Sequence, residues 1–396
     1  MKQSISKLVA IAAVAGGAAN VAHAQSSVTI YGIIDTSINY TSKALLSSGS
    51  TNTGSKMSVD SGINSGSRLG FKGTEDLGGG LNAIFQLEIG YKADTGAFDG
   101  TNNGVANTNT LFRRLSVVGL NGNWGTVLLG RQTDAVFQYN QWTSVADFGG
   151  ITGNVGHNLD RLEGTRVNNA VRYNSPTFGG LSGSILYGFG EVADSSSAGQ
   201  AFGAGMQYVN GPLGVFTAYY QSKLNADATA TSSDTATLVA GNGKAGDTAV
   251  KVFNLGASYQ AGPARLYGNW SQVKQPLATT ATVPSSGVLP SGYIIGGANN
   301  NKANIFELGI NYALTPTLAL ISSVQRTNLN YAGTSNTGKL TQLNIGTIYS
   351  LSKRTDIYTV LAHLRASNTY NPGAEGTAAG MNNNQSVLTV GLRHKF

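Results

Sequence analysis

From Val28 onward the chain alternates with a period of two. Val28, Ile30, Ile34 and Ile38 share one face, and Thr29, Tyr31, Asp35, Ser37 and Asn39 share the other. Such a period belongs to a strand with one apolar and one wet side. The pattern returns in Leu81, Ala83, Phe85, Leu87, Ile89 and Tyr91 against Asn82, Gln86, Glu88 and Lys92. It returns again in Phe253, Leu255, Ala257 and Tyr259 against Asn254, Ser258 and Gln260, and in Phe306, Leu308, Ile310 and Tyr312 against Glu307 and Asn311. These segments run to about ten residues, longer than a typical soluble strand and enough to cross a bilayer when tilted.

The connections come in two kinds. Seven short turns fall at Glu75–Gly80, Asn121–Trp124, Pro176–Gly180, Asn210–Leu213, Ala261–Pro263, Thr315–Pro316 and Ser352–Arg354. Eight polar stretches rich in Gly, Ser, Thr and Asn alternate with them, at 41–57, 95–109, 133–165, near 194, 225–248, 276–301, near 334 and 368–384. Seven turns and eight loops join sixteen strands, an even number with both termini on the turn side. The fold expected is all-β, a sixteen-stranded antiparallel transmembrane β-barrel. Tyr173, Tyr208, Tyr259, Tyr312, Tyr349 and Phe396 each lie on the apolar face where an even-numbered strand nears a turn. A soluble many-stranded protein needs no such aromatic girdle, whereas rings of this kind belong at the boundary between lipid tails and headgroups.

Composition sharpens this picture. Only 11% of the 396 residues are charged while 53 are Gly and 41% are hydrophobic. That balance departs from a soluble enzyme without resembling disorder. Residues 1–24 carry Lys2 and Lys7, an apolar run from Leu8 to Val14 and the ending Ala22-His23-Ala24, the marks of a secretory leader cleaved before Gln25. The expected organisation is a leader over 1–24 and a barrel over 25–396. Loss of Lys2 and Lys7 takes the formal charge from +7 to +5, and the remaining basic residues are dispersed, so nucleic acid is not an expected partner. No stretch of the mature chain approaches the apolar run of about 18 residues that a membrane helix requires. Any membrane relationship must be β.

Catalytic chemistry has little to stand on. Gly241-Asn242-Gly243-Lys244-Ala245-Gly246 has the spacing of a dinucleotide-binding turn, yet it falls in a long polar loop without a following helix. There is no Cys, no G-x-S-x-G elbow, and the mature chain keeps His157, His363 and His394 only, far apart. No cofactor, metal or catalytic site is expected. An outer-membrane hydrolase whose Ser, His and Asp meet only in space, or an adhesin, is the alternative reading.

Six segments in order carry a family likeness. They are Ser27-Val28-Thr29-Ile30-Tyr31-Gly32, Ser67-Arg68-Leu69-Gly70-Phe71-Lys72-Gly73, Arg114-Leu115-Ser116-Val117-Val118-Gly119-Leu120, Leu129-Gly130-Arg131-Gln132, Arg172-Tyr173-Asn174-Ser175-Pro176 and Gly391-Leu392-Arg393-His394-Lys395-Phe396. Across the mature chain this set resembles the general bacterial porins, nearest the betaproteobacterial ones. The resemblance implies homotrimeric outer-membrane channels of sixteen strands whose third loop folds into the pore. It implies constriction roles for Arg68 and Arg114, and for acids of the third loop near a Phe-Gly-Gly turn. Asp147-Phe148-Gly149-Gly150 matches that turn, with Ala146 where a Pro often stands.

Alternation assigns the inner wall independently. With Leu69 and Phe71 toward lipid, Arg68 and Lys72 face inward; with Leu115 and Val117 outward, so does Arg114; with Val167, Val171 and Tyr173 outward, so do Arg166 and Arg172. The competing reading is that these side chains snorkel or pair with loop carboxylates. The long stretch 133–165 adds Asp134, Asp147, Asp160 and Glu163, of which Asp134 and Glu163 read equally well as solvated loop charge. Asp35 and Glu88 are the inward acids of the early strands. The function expected is a water-filled, non-enzymatic diffusion channel for ions and small hydrophilic solutes, moderately anion-selective, set in outer-membrane lipid. At the end, Phe396, His394, Leu392, Val390 and Leu388 share one face, and this terminal aromatic resembles the signal read by the barrel-assembly machinery.

Overall fold

The chain is described here by a computed structural model. It describes residues 27–46, 52–98, 101–102, 105–106, 111–140, 166–191, 193–194, 196–197, 199–223, 249–274, 300–331, 337–369, 371, 373–374 and 382–396. The leader, Asp147, Asp160, Glu163, His157 and the 241–246 glycines lie outside them.

The strands are β1 (Ser27–Leu45), β2 (Thr53–Ser61), β3 (Arg68–Gly78), β4 (Leu81–Gly90), β5 (Thr101–Asn102), β6 (Val105–Ala106), β7 (Leu115–Gly122), β8 (Gly125–Thr133), β9 (Arg166–Asn174) and β10 (Leu181–Gly188). They continue as β11 (Ala201–Asn210), β12 (Leu213–Lys223), β13 (Ala249–Ala261), β14 (Ala264–Lys274), β15 (Asn300–Ala313), β16 (Leu318–Tyr331), β17 (Thr337–Ser350), β18 (Thr355–Ser367) and β19 (Asn384–Lys395). A short helix, α1 (Ala135–Asn140), follows β8. β5 and β6 pair only with each other; the other seventeen form one antiparallel sheet that closes where β1 meets β19.

Seventeen segments make sixteen staves, because β2 and β3 lie end to end along β1. Thr36–Leu45 of β1 pairs with β2, and Ser27–Ile33 pairs with β3. The period-two pattern does not foretell this interruption at residues 62–67. Gly62 takes a φ of 75°, outside the range most side chains allow, and starts the departure from the wall. All seven expected turns join neighbouring strands as anticipated.

The outer face is apolar and the closure is specific. Val28, Ile30, Ile34 and Ile38 are exposed on it, while Asp35, Ser37 and Asn39 are buried on the inner face. The six girdle aromatics are all exposed on the outer face. At the seam, the backbones of Gly32 and Phe396 exchange two hydrogen bonds of 3.1 Å. The Phe396 ring lies where a β-carbon on residue 32 would stand, so only glycine fits there.

Candidate functional site

Alternation places some inner-wall residues and fails at others. Arg68 pairs with Gly90, Gly70 with Glu88 and Lys72 with Gln86, so the inward set of β3 and β4 is as expected. On β7 the expected facing is reversed. Leu115 pairs with Glu88 and Val117 with Gln86, which puts both on the inner face, while Val118 and Leu120 are exposed outside. Arg114 nevertheless reaches Glu88, because it sits at a bend before β7 begins and is outside the strand's alternation.

A second correction concerns β9. Gly130 pairs with Ala170, but Gln132 pairs with Val167, so β9 carries an extra residue and Asn169 takes a φ of 51°. The bulge moves Val167, expected outside, onto the buried face shared by Ala170 and Leu186. Arg172 stays on the inner face opposite Leu186. Arg166 falls opposite Thr133, one step off that face, and its Nε donates to the Arg114 carbonyl at 2.9 Å.

These placements gather a basic wall around one acid. The Arg114 Nε lies 2.5 Å and the Arg68 Nη1 3.9 Å from Glu88 Oε1. The Tyr31 hydroxyl donates to Glu88 Oε2 at 3.1 Å and accepts from Gln86 Nε2 at 2.6 Å. Lys72 Nζ stands 5.5 Å from the Tyr31 ring centroid, adding a cation to the same patch. The sequence predicts Glu88 only as an inward acid; the structure makes it the shared partner of two arginines, one on either side of it in sequence, that meet only through the pairing of β3, β4 and β7.

Beside this wall, the interruption of the second stave folds inward and is tied down by residues from both ends of the chain. Asp35 Oδ2 accepts from the Ser65 backbone N–H at 2.6 Å, and its Oδ1 accepts from the Tyr358 hydroxyl at 2.6 Å. Arg393 donates to both oxygens of Asp356, at 2.9 and 3.1 Å to Oδ2 and 3.2 Å to Oδ1, and to the Ser65 hydroxyl at 2.9 Å. Tyr358 and Asp356 carry no motif in the sequence, and Arg393 enters only as part of the terminal segment of the family likeness, with no role attached to it. The only available signal was a Tyr and an Asp on the face opposite Ile357 and Leu361.

Half the ring away, the start of the third long connection lies against the inner face of β11 and β12. Asp134 is buried rather than solvated, and its Oδ1 caps α1 by accepting from the Phe137 backbone N–H at 2.8 Å. Val136 and Tyr139 pack with Phe216, Ala218 and Tyr220. A β-carbon on residue 205 would come within 2.4 Å of the Tyr139 ring, so Gly205 is what admits it. Arg172 lies within electrostatic reach of Asp134 and Tyr139, and its Nη2 is 3.5 Å from the Thr133 hydroxyl. The eighth connection also turns back toward the wall: Ala374 is buried with Leu364 and Val387, and its N–H donates to Gln385 Oε1 at 2.8 Å.

A closed barrel with polar segments drawn inward from several staves is the geometry of a restricted pore, and comparison with known proteins agrees. A family model described as Gram-negative porin matches residues 9–369. An outer membrane porin protein of Bordetella pertussis is 30% identical over 98% of this chain and 100% of its own length. Outer membrane porin protein 32 of Delftia acidovorans is 32% identical over 100% of both chains. The solved anion-selective porin from Comamonas acidovorans superposes with a TM-score of 0.69 at 27% identity, covering 94% of this chain and 100% of that one. With a family match along most of its length and whole-length relatives that are outer membrane porins, this chain belongs to the Gram-negative porins, and it is an outer-membrane channel.

Proposed function

We propose that the lumen conducts ions and small hydrophilic solutes with a moderate preference for anions. The observation that carries the preference is the charge balance of the wall. Arg68 and Arg114 converge on one carboxylate, Glu88, and Lys72 stands over the Tyr31 ring beside them; with Asp35 counted as a second acid within electrostatic reach of Arg68, the patch still carries a net positive charge. Arg172 adds a cation beside the third connection, offset by the buried Asp134 within its electrostatic reach, whereas Arg166 is displaced from the inner face by the bulge and does not enter this balance; Asp147 is the acid that this reading assigns to that connection. The similarity to an anion-selective porin supports the same sign. Fixed charge in a water-filled opening acts over a Debye length, about 8 Å at physiological salt, comparable with a narrow pore. The test is the reversal potential of the purified channel in a planar bilayer under a potassium chloride gradient. An anion-selective potential that weakens as salt rises supports the reading, and a cation-selective one overturns the dominance of the basic wall.

The same reading takes in processing and assembly. Cleavage after Ala24 gives a mature chain starting at Gln25, checked by mass of the intact purified protein. Threefold association, with residues 93–110 reaching over a neighbour, is checked by native mass spectrometry in mild detergent, where a monomer counts against it.

A further inference from the structure

The turn-side ends of β11–β14 enclose a small cavity, across the ring from the basic wall of β3, β4 and β7. Its volume is about 180 Å³. Strand register fixes which side chains face it. Gln207 pairs with Phe216 and Val209 with Gly214, so these share the inner face, while Met206 and Tyr208 are exposed on the outer one. Gly214 pairs with Ser258, Ser258 with Tyr267 and Gln260 with Arg265, which carries the same inner face across to β14. A β-carbon on residue 214 would meet only the Ser258 hydroxyl, at 3.1 Å, so the absent side chain of Gly214 is what leaves the floor open.

The two sides of the cavity differ in chemistry. The β11–β12 side supplies Val209, Pro212 and Phe216, and the β13–β14 side supplies Ser258, Gln260 and Arg265. The described residues of β11–β14 and their turns contain no acid, and among them Arg265 is the only cation at the turn end. Its guanidinium carbon stands 5.7 Å from the Tyr267 ring centroid, so an aromatic face holds it. No carboxylate pairs with it among the described residues. Glu307, on the same inner face, lies two alternation steps along β15 from Asn311, the residue opposite Arg265, which is about 13 Å away. A guanidinium fork without a counter-ion, at the edge of an apolar recess, matches an anion that has an apolar body.

We propose that this cavity binds a small carboxylate bearing a ring-sized apolar group, of the aromatic-acid class. The carboxylate takes paired hydrogen bonds from Arg265, and the ring lies against Val209, Pro212 and Phe216. A station of this kind tells an aromatic acid from an inorganic anion of equal charge, a distinction the charge of the basic wall does not make. The site rests on the lumen being a water-filled path and not on the sign of its ionic preference.

The test is photolabelling of the purified full-length channel in detergent with para-azidobenzoate, followed by mass spectrometry of its peptides. Label is expected on the turn-side halves of β11–β14. Unlabelled benzoate should protect these positions about tenfold better than acetate, which has the charge without the ring, or benzyl alcohol, which has the ring without the charge. That comparison needs no variant. Arg265→Gln should weaken protection by benzoate about tenfold and leave protection by benzyl alcohol unchanged. Gly214→Val fills the floor without touching charge and should remove the label. Arg114→Ala, which lies across the lumen, should leave the label and its protection unchanged while shifting the reversal potential, so that failure of the ionic preference and failure of this site are told apart. Label spread over the lipid-facing positions of all strands, equal protection by the three competitors, or protection that depends on Arg114 and not on Arg265 would overturn the site.

Discussion

Replacing Glu88 by Gln is the sharpest perturbation of the wall, because it changes one charge at the point where two arginines converge. The carboxylate is 2.5 Å from Arg114 and 3.9 Å from Arg68, and its side chain is 6% exposed against 13% and 24% for theirs. Arg68, Arg114 and Glu88 together carry +1, and Glu88→Gln raises this to +2. An ion passing about 7 Å away in water-like surroundings feels about 0.6 kcal/mol from that unit charge. Screening at physiological salt cuts it to about 0.25 kcal/mol. The change acts with opposite sign on chloride and potassium, so the anion-to-cation permeability ratio should rise about two- to threefold, and about fourfold in dilute salt where screening recedes. Arg114→Ala removes one positive charge from the same place and should lower the ratio by a similar factor. Reversal potentials under a tenfold potassium chloride gradient read both shifts. A Glu88→Gln channel that moved toward cations, or two variants that moved the same way, would show that this patch does not set the field seen by the permeating ion.

Other outcomes follow from the same geometry. Asp35→Asn removes the carboxylate that holds both Ser65 and Tyr358, at a cost of about 1.5–3 kcal/mol for charge-assisted bonds; loosening residues 62–67 should raise single-channel conductance, with Tyr358→Phe giving a smaller change of the same sign. Gly205→Val drives a side chain into the Tyr139 ring and should destabilise the fold by about 1–3 kcal/mol and displace α1, read as a lower Tm and altered conductance. Gly32→Val strikes the Phe396 ring at the seam, so it should lower the folded fraction on refolding into detergent. Deleting Phe396 removes both seam bonds and should lower the folded fraction in cells more than in detergent refolding; equal losses would leave only the structural role.

The amphipathic period of two, the girdle aromatics and the spacing of turns were enough to count staves, because a membrane barrel must hide every backbone polar group in its own sheet and show lipid an unbroken apolar face. The alternation from Val28 to Asn39 and that of Leu81–Gly90 could be read by eye, and the turn at Pro176–Gly180 followed from its residues alone, whereas the stretch expected as a loop at 41–57 is strand up to Leu45 and again from Thr53. Three things required the tertiary structure. The face of β7 depends on its register with β4, since a one-residue slip exchanges inside for outside, and the apolar run Val117-Val118 fits either way. The bulge at Asn169 reverses Val167 and Arg166 for the same reason. The partners that restrain the inward segment at 62–67 are hundreds of residues from it: Tyr358 and Arg393 meet Asp35 and Ser65 only because the barrel closes β1 against β19. Local pattern determines which residues meet lipid where apolar and polar positions alternate cleanly; where they do not, as on β7 and at the β9 bulge, and for which charges neutralise one another inside, strand pairing and closure decide, and these are properties of the whole ring.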